Sequence, residues 1–150
     1  MSGMFGHNDD AVMHGEFMAF AADEASLGSL RGWAERQGYP AASVQQGGAD
    51  MFAHMLESSS PPKMAIIDID AQADAAAVTA RLVSLCGADC KLIAIGSAND
   101  VGLYRRILGA GAVDYLVKPL TADMLNQALA SALRGQTGGK PDVKEARIAV

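Results

Sequence analysis

"KMAIIDIDAQAD", Lys63 to Asp74, runs through an unbroken apolar stretch from Met64 to Ile67 and then sets a carboxylate, Asp68, where the stretch falters. Apolar residues on successive positions, without alternation, mark a strand buried on both faces, the pattern of a parallel sheet covered by helices on either side. Comparable strand candidates are "FMAFA" (17–21), "ASVQQ" (42–46), "MAIIDI" itself (64–69), "KLIAIG" (91–96) and "AVDYLV" (112–117). Between them, apolar residues fall at helical spacing: Leu27, Leu30 and Ala34; Val78, Leu82 and Leu85; Tyr104, Ile107 and Leu108; then Met124, Leu125, Ala128, Leu129 and Leu133. The order is a βα unit repeated five times. It predicts parallel strands joined by right-handed crossovers, with helices on both faces. "ASVQQ" is the most polar candidate and is expected at an edge. Thr121, just after Pro119, is expected to cap the last helix, and Gly135 to stop it.

The chain has 150 residues, half of them hydrophobic and 19% charged, which suits one domain with a buried core. Residues 1–15 lack periodicity and are expected to form a flexible arm, in which His7 and His14 are solvated. The domain itself is expected over 16–135, followed by a polar linker over 136–146. "RIAV" (147–150) then reads as the first residues of a further, truncated domain. A net charge of −5 and a pI near 5.0 argue against nucleic acid as a partner, because phosphate-backbone binding needs a cationic surface. Cys86 and Cys90 lie about a helical turn apart without a nearby histidine pair, so reduced thiols are expected rather than a disulfide or zinc site. No apolar run approaches the ~20 residues that span a bilayer, and the N-terminus shows no basic region followed by an apolar one. A cytoplasmic chain without membrane insertion is expected.

In an open parallel sheet, ligands gather beyond the carboxyl ends of the strands, near the switch in strand order. Asp23 and Glu24 follow the first strand candidate, Asp68 the third, Ser97 the fourth and Lys118 the fifth. A carboxylate attacks a phosphoryl donor only when the repulsion between anions is relieved by Mg²⁺ and by donors to the phosphoryl oxygens. Asp23 and Asp68 are candidates to hold such an ion, and Ser97 and Lys118 to meet the oxygens. A lysine ending an apolar strand needs a partner, and Asp68 is the obvious one. Other chemistries fare worse. The acidic "AADEAS" repels a flavin phosphate, "GAGAVD" precedes a strand instead of following one, and "GQTGGKP" follows a helix and has Pro141 where a hydroxyl is needed. His54 lies within a surface helix, and no Cys–His or Ser–His pair is placed on strand ends. No enzymatic turnover is expected; any phosphotransfer would be self-modification.

"GAGAVDYLVKP", Gly109 to Pro119, resembles the end of the receiver domain of two-component signalling, and the resemblance spans roughly residues 16–135. It implies an α/β, flavodoxin-like three-layer sandwich with a five-stranded parallel sheet in the order 2-1-3-4-5. It also implies Asp68 as phosphoacceptor, Ser97 as the hydroxyl after the fourth strand, Tyr115 as the switch aromatic, and Lys118 with a cis bond to Pro119. Two departures stand out. The first of the family's two adjacent acidic residues is Ala22 here, leaving Asp23 and Asp68 as an incomplete Mg²⁺ site, and "DIDAQADAAAV" lacks the usual Pro and Gly. Asp70 in that loop stands where the family's residue supplies mainly a backbone carbonyl. With the polar linker and "RIAV", these features resemble the N-terminal part of the CpaE/TadZ proteins of Flp/Tad pilus assembly, in which an atypical receiver precedes a ParA/MinD-like ATPase domain.

That resemblance implies a protein-interaction or localisation module whose phosphorylation is reduced or absent, recruited through protein partners to the cell pole or the inner face of the membrane. The alternative is a phosphoacceptor receiver of a response regulator, phosphorylated on Asp68. Receivers often pair through the fourth helix, fifth strand and fifth helix. Here that face carries Tyr104, Arg105 and Arg106 with Asp114 and Asp123, opposite charges that suit a twofold homodimer.

Overall fold

The computed structural model describes residues 16–138, and within them the βα order is realised. The strands are β1 (Phe17–Ala21), β2 (Val44–Gln46), β3 (Met64–Asp68), β4 (Lys91–Gly96) and β5 (Asp114–Val117). The helices are α1 (Glu24–Arg36), α2 (Ala49–Leu56), α3 (Ala75–Cys86), α4 (Val101–Gly109) and α5 (Ala122–Gly138). All pairings are parallel and the sheet order is β2-β1-β3-β4-β5. The chain therefore reverses direction across the sheet at β1 and β3, where Phe20 pairs with Ile67. Among the described residues no helix is long and apolar enough to cross a membrane.

Side-chain alternation along the strands sorts the core into layers. Phe17, Ala19, Ile66, Ile93 and Ile95 face α1 and α5, meeting Leu27, Leu30, Trp33, Leu125 and Ala128. Met18, Phe20, Ala65, Ile67 and Leu92 face α2 and α3, meeting Phe52, Leu82 and Cys86. A third cluster puts Ile107 of α4 against Ala94 and Tyr115. Every residue of β1 and β3 is buried, as their unbroken apolar runs require. Trp33 joins the two helices of its face: its ring meets Phe17 edge-on at 5.5 Å, and its indole N–H donates to Asn126 Oδ1 of α5 at 2.9 Å.

Several expectations are corrected. "ASVQQ" lies at the sheet edge but pairs only from Val44; Ala41–Ser43 form a 3₁₀ turn closed by Ser43 N–H on the Pro40 carbonyl. β5 begins at Asp114, not Ala112. On α3 the buried stripe is Thr79, Leu82 and Cys86, so Leu85 is exposed. Both stripes share Leu82 at helical spacing, and Thr79 tolerates burial by donating its hydroxyl to the Ala75 carbonyl at 2.8 Å. Leu133 is likewise exposed, its place in the core taken by Ala132. Thr121 does cap α5, its Oγ1 accepting from Met124 N–H. Gly135 does not stop it, and the helix runs to Gly138, inside the segment expected as linker. A glycine in a helix interior costs only about 1 kcal/mol and stops it only by turning left-handed. His7, His14, "RIAV" and the rest of the linker lie outside the described residues.

Trp33→Ala, which empties the fully buried seam between α1, β1 and α5, is expected to cost about 3–5 kcal/mol. Urea unfolding followed by circular dichroism checks this: the midpoint should fall with little change in slope.

Candidate functional site

The strand register places the functional groups. Asp68, last in β3, pairs with Ile95, and Gly96 pairs with Val117, so Asp68, Ser97 and Lys118 emerge together at the carboxyl edge. Asp23 joins them from the end of β1, where it is also the N-cap of α1 through Ser26 N–H on its Oδ2 at 2.9 Å. Lys118 sits at the centre. Its Nζ donates to Asp23 Oδ1 at 2.6 Å, Asp68 Oδ2 at 2.7 Å and Asp70 Oδ2 at 3.0 Å. The Lys118–Pro119 bond is cis.

Asp68 is the most enclosed of the three carboxylates, with 1% of its side chain exposed, against 44% for Asp23 and 34% for Asp70. Beyond Lys118, its Oδ2 accepts Ala22 N–H at 2.9 Å and its Oδ1 accepts Asp70 N–H at 3.0 Å. The third carboxylate, Asp70, accepts Ser97 N–H on Oδ1 at 2.6 Å and the Ser97 hydroxyl on Oδ2 at 2.7 Å. Tyr115 is buried and points inward, donating its hydroxyl to the Ala98 carbonyl at 2.8 Å. Gly96 makes this crowding possible: a Cβ there would come within 2.8 Å of the Tyr115 hydroxyl and 3.0 Å of Asp70 Oδ1.

A cleft of about 500 Å³ opens beside the cluster, lined by Ala22, Asp23, Ser29, Asp70, Ser97 and Lys118 among others. Asp68 is not part of its wall. The sequence expectation that Asp68, Ser97, Lys118 and Asp23 lie together is met geometrically. Ser97 lines the cleft, but its N–H and hydroxyl are both given to Asp70, a residue for which the sequence suggests added negative charge and no side-chain role. The signal that pointed to it was its own carboxylate, two residues beyond Asp68 in a loop without Pro or Gly.

The electrostatics follow from this packing. The Lys118 ammonium beside Asp23 holds its carboxyl down, from 3.8 to about 2. Burial works to raise the Asp70 carboxyl, but the Ser97 donors and Lys118 outweigh it and the net shift is downward. Lys118 is pulled toward neutrality by burial, yet the three carboxylates win and its pKa rises. Burial and the nearby Asp70 charge raise the Tyr115 hydroxyl, so it stays a donor. Mg²⁺ demands near-octahedral oxygen coordination at ~2.0–2.1 Å. Both oxygens of each carboxylate instead already accept an N–H or O–H, and Ala22 brings no side-chain oxygen to the site. Asp23 and Asp68 are thus arranged around an ammonium, and the set does not fit Mg²⁺ unless Lys118 withdraws. Among the described residues no group of three or more His, Cys, Asp or Glu is arranged to hold a metal ion.

On the face expected for pairing, Tyr104, Arg105, Arg106 and Asp123 are exposed and Asp114 is half-buried. Burial raises the Asp114 carboxyl, and with it the nearby Tyr104 hydroxyl is raised by its own burial and the Asp114 charge.

Removing the ammonium strands a buried carboxylate. Lys118→Met is expected to cost about 3–5 kcal/mol near neutral pH, the loss typical of deleting one partner of a buried pair. The wild type should show an acid limb. The folded Asp23 carboxyl is depressed, so its contribution is complete above about pH 4 and is lost as pH falls through about 2. That contribution is small because Asp23 is substantially exposed to solvent. In Lys118→Met the Asp23 part of the limb should shrink, which denaturant midpoints measured between pH 2 and 7 check directly.

No family model matches the chain. It is 32% identical over 68 residues to the C4-dicarboxylate response regulator DctR assigned in Priestia megaterium, a match covering 45% of this chain and 30% of that protein's length. Among solved structures, a pilus assembly protein CpaE from Caulobacter crescentus aligns with a TM-score of 0.69 at 23% identity, covering 79% of this chain and 92% of the other. A CpaE-type pilus assembly protein from Sinorhizobium meliloti aligns at 0.59 and 25% identity, covering 78% and 98%. A response regulator from Burkholderia pseudomallei, with a phosphorylated aspartic acid, a calcium ion and citrate, aligns at 0.63 and 22%, covering 81% and 70%. The parallel sheet in the order 2-1-3-4-5 with helices on both faces is the flavodoxin-like fold of a receiver domain, and the structural neighbours of this chain are CpaE pilus assembly proteins and response-regulator receivers.

Proposed function

We propose that this receiver-fold domain is a protein-interaction and localisation module of a pilus assembly complex that works without phosphorylation of Asp68. One observation carries the reading: both oxygens of the Asp68 carboxylate already accept from internal donors, the group lies outside the wall of the adjoining cleft, and the Lys118 ammonium is against it. Ala22, where a second metal-holding carboxylate would be needed, supplies only its backbone N–H to Asp68. The likeness to CpaE pilus assembly proteins supports the assembly context. Recruitment to the cell pole or the inner membrane face would then run through protein partners, and the domain itself would catalyse no turnover.

The surface offered to partners is that of α4, β5 and α5. Arg105 and Arg106 on α4, Asp114 on β5 and Asp123 on α5 bring opposite charges that a twofold axis would make self-complementary. Self-association through it is part of the proposal.

The alternative, a working phosphoacceptor, draws on the convergence of Asp68, Ser97 and Lys118 at one edge and on the phosphorylated neighbour from Burkholderia pseudomallei. Titrating the isotope-labelled chain with Mg²⁺ and beryllofluoride separates the two. The amide resonances of Asp68, Ser97 and Tyr115 should not move. Saturable shifts there that vanish in Asp68→Ala would make Asp68 a working acceptor and sink the phosphorylation-independent reading. For the pairing face, sedimentation at high concentration should give a dimer mass, and Arg105→Glu with Arg106→Glu should weaken association about tenfold, ~1.4 kcal/mol. A monomer mass at every concentration would remove dimerisation from the proposal.

A further inference from the structure

The donors that a phosphoryl group on Asp68 would need are Lys118 Nζ and the hydroxyl after β4, and both are already bonded to one other anion, Asp70. Its carboxylate accepts Ser97 N–H at 2.6 Å, the Ser97 hydroxyl at 2.7 Å and Lys118 Nζ at 3.0 Å. We propose that Asp70 is a built-in stand-in for that phosphoryl group, a positioning residue that holds Ser97, and through it Tyr115, in the engaged arrangement without covalent modification.

The chain of contacts is continuous. Asp70 is anchored to the acceptor position itself, its N–H donating to Asp68 Oδ1. It fixes both the backbone and the side chain of Ser97. The next residue, Ala98, offers its carbonyl to the Tyr115 hydroxyl, and this bond keeps the aromatic ring buried against Ile107 and Ala94. A shift of Ser97 therefore moves the acceptor on which the inward ring depends. Gly96 serves the same geometry from the other side, because any side chain there would strike both the Tyr115 hydroxyl and the Asp70 carboxylate.

Charge completes the case. A phosphoryl group brings negative charge and several strong acceptor oxygens; Asp70 brings one negative charge and two acceptor oxygens, both used. Charge-assisted bonds of this kind are short and roughly twice as strong as neutral ones, in keeping with the 2.6 and 2.7 Å distances to Ser97. The groups facing Asp70 are Lys118 and Tyr115 from β5 and its end, Ser97 from β4, Asp68 from β3, and Asp23 from the turn into α1. Lys118 is the cation among them, and it is shared with Asp23 and Asp68. An incoming phosphoryl group would meet like charge and donors already taken.

This inference rests on the reading that the domain works without phosphorylation, and its test is independent of any phosphoryl mimic. Wild type, Asp70→Asn and Gly96→Ala are compared by nuclear magnetic resonance on the full chain, without beryllofluoride. In both variants the largest amide shift change should fall at Ser97, and the Tyr115 side-chain couplings should pass from one rotamer to an average of inward and outward. Ser97→Ala, which removes the hydroxyl half of the contact and adds no bulk, is the third variant and should loosen the Tyr115 rotamer in the same sense. It decides the matter if either of the other variants fails to fold. Unchanged Tyr115 couplings in the folded variants, or a wild-type Tyr115 already averaged between inward and outward rotamers, would overturn the stand-in. Such a failure with no beryllofluoride response in wild type removes only this inference, whereas a saturable response removes the reading beneath it.

Discussion

One ammonium group organises the carboxyl edge of the sheet. Lys118 Nζ meets carboxylates delivered by three different segments: the turn after β1, the end of β3, and the loop beyond it. A buried charge without partners is expensive, and three carboxylates packed together without a cation are more so. Asp68 and Lys118, the two enclosed groups, are therefore tolerated only because these partners are there. The sheet order supplies the meeting place, since β1 and β3 are neighbours although a strand and two helices separate them in sequence. Lys118 closes the gap from β5, two strands away from β3. Sequence-distant elements are thus held in register by electrostatics at one edge and by apolar packing everywhere else.

The apolar packing itself was largely legible. β1, β3 and β4 announce themselves because strands buried on both faces have no polar alternate to confuse them, and Phe17 to Ala21 is buried throughout. The less legible parts are those where two patterns fit equally well. On α3, the stripes through Leu85 and through Cys86 share Leu82, and only the tilt of the helix on the sheet chooses between them. Phe52, fully buried on the eight-residue α2, was not singled out, because so short a helix offers barely two turns of periodicity. Gly135 reads as a stop, yet whether a glycine terminates a helix depends on its backbone angles, which composition does not specify.

The site divides in the same way. Asp23, Asp68, Ser97 and Lys118 could be placed together because strand ends in a parallel sheet converge whatever the loops do. The side-chain direction of Asp70 could not, because a loop residue's orientation is set by what it finds to bond. Here it finds two donors on Ser97 and one on Lys118. Ala22 illustrates the converse: its missing carboxylate is visible in sequence, but the use of its N–H as a donor to Asp68 is a property of the folded turn.

These two substitutions relative to the receiver pattern act in the same direction. Ala22 brings no charge to one side of Lys118 and Asp70 brings it on the other, so the lysine has three carboxylate partners and one of them also holds Ser97. A site with two carboxylates at the end of β1 would concentrate anionic charge beside Asp68 and invite a divalent cation; this one draws that charge across the cleft mouth to the hydroxyl after β4. The ammonium then satisfies the site from within, and Gly96 leaves the space that the Asp70 carboxylate and the Tyr115 hydroxyl share. Changing either residue alone would unbalance the cluster: an acidic residue at 22 would add a fourth carboxylate around one ammonium, and a neutral residue at 70 would leave Ser97 without an anionic acceptor. The absence of a carboxylate at 22 and its presence at 70 therefore belong to one balance of charge around Lys118, set on the receiver scaffold.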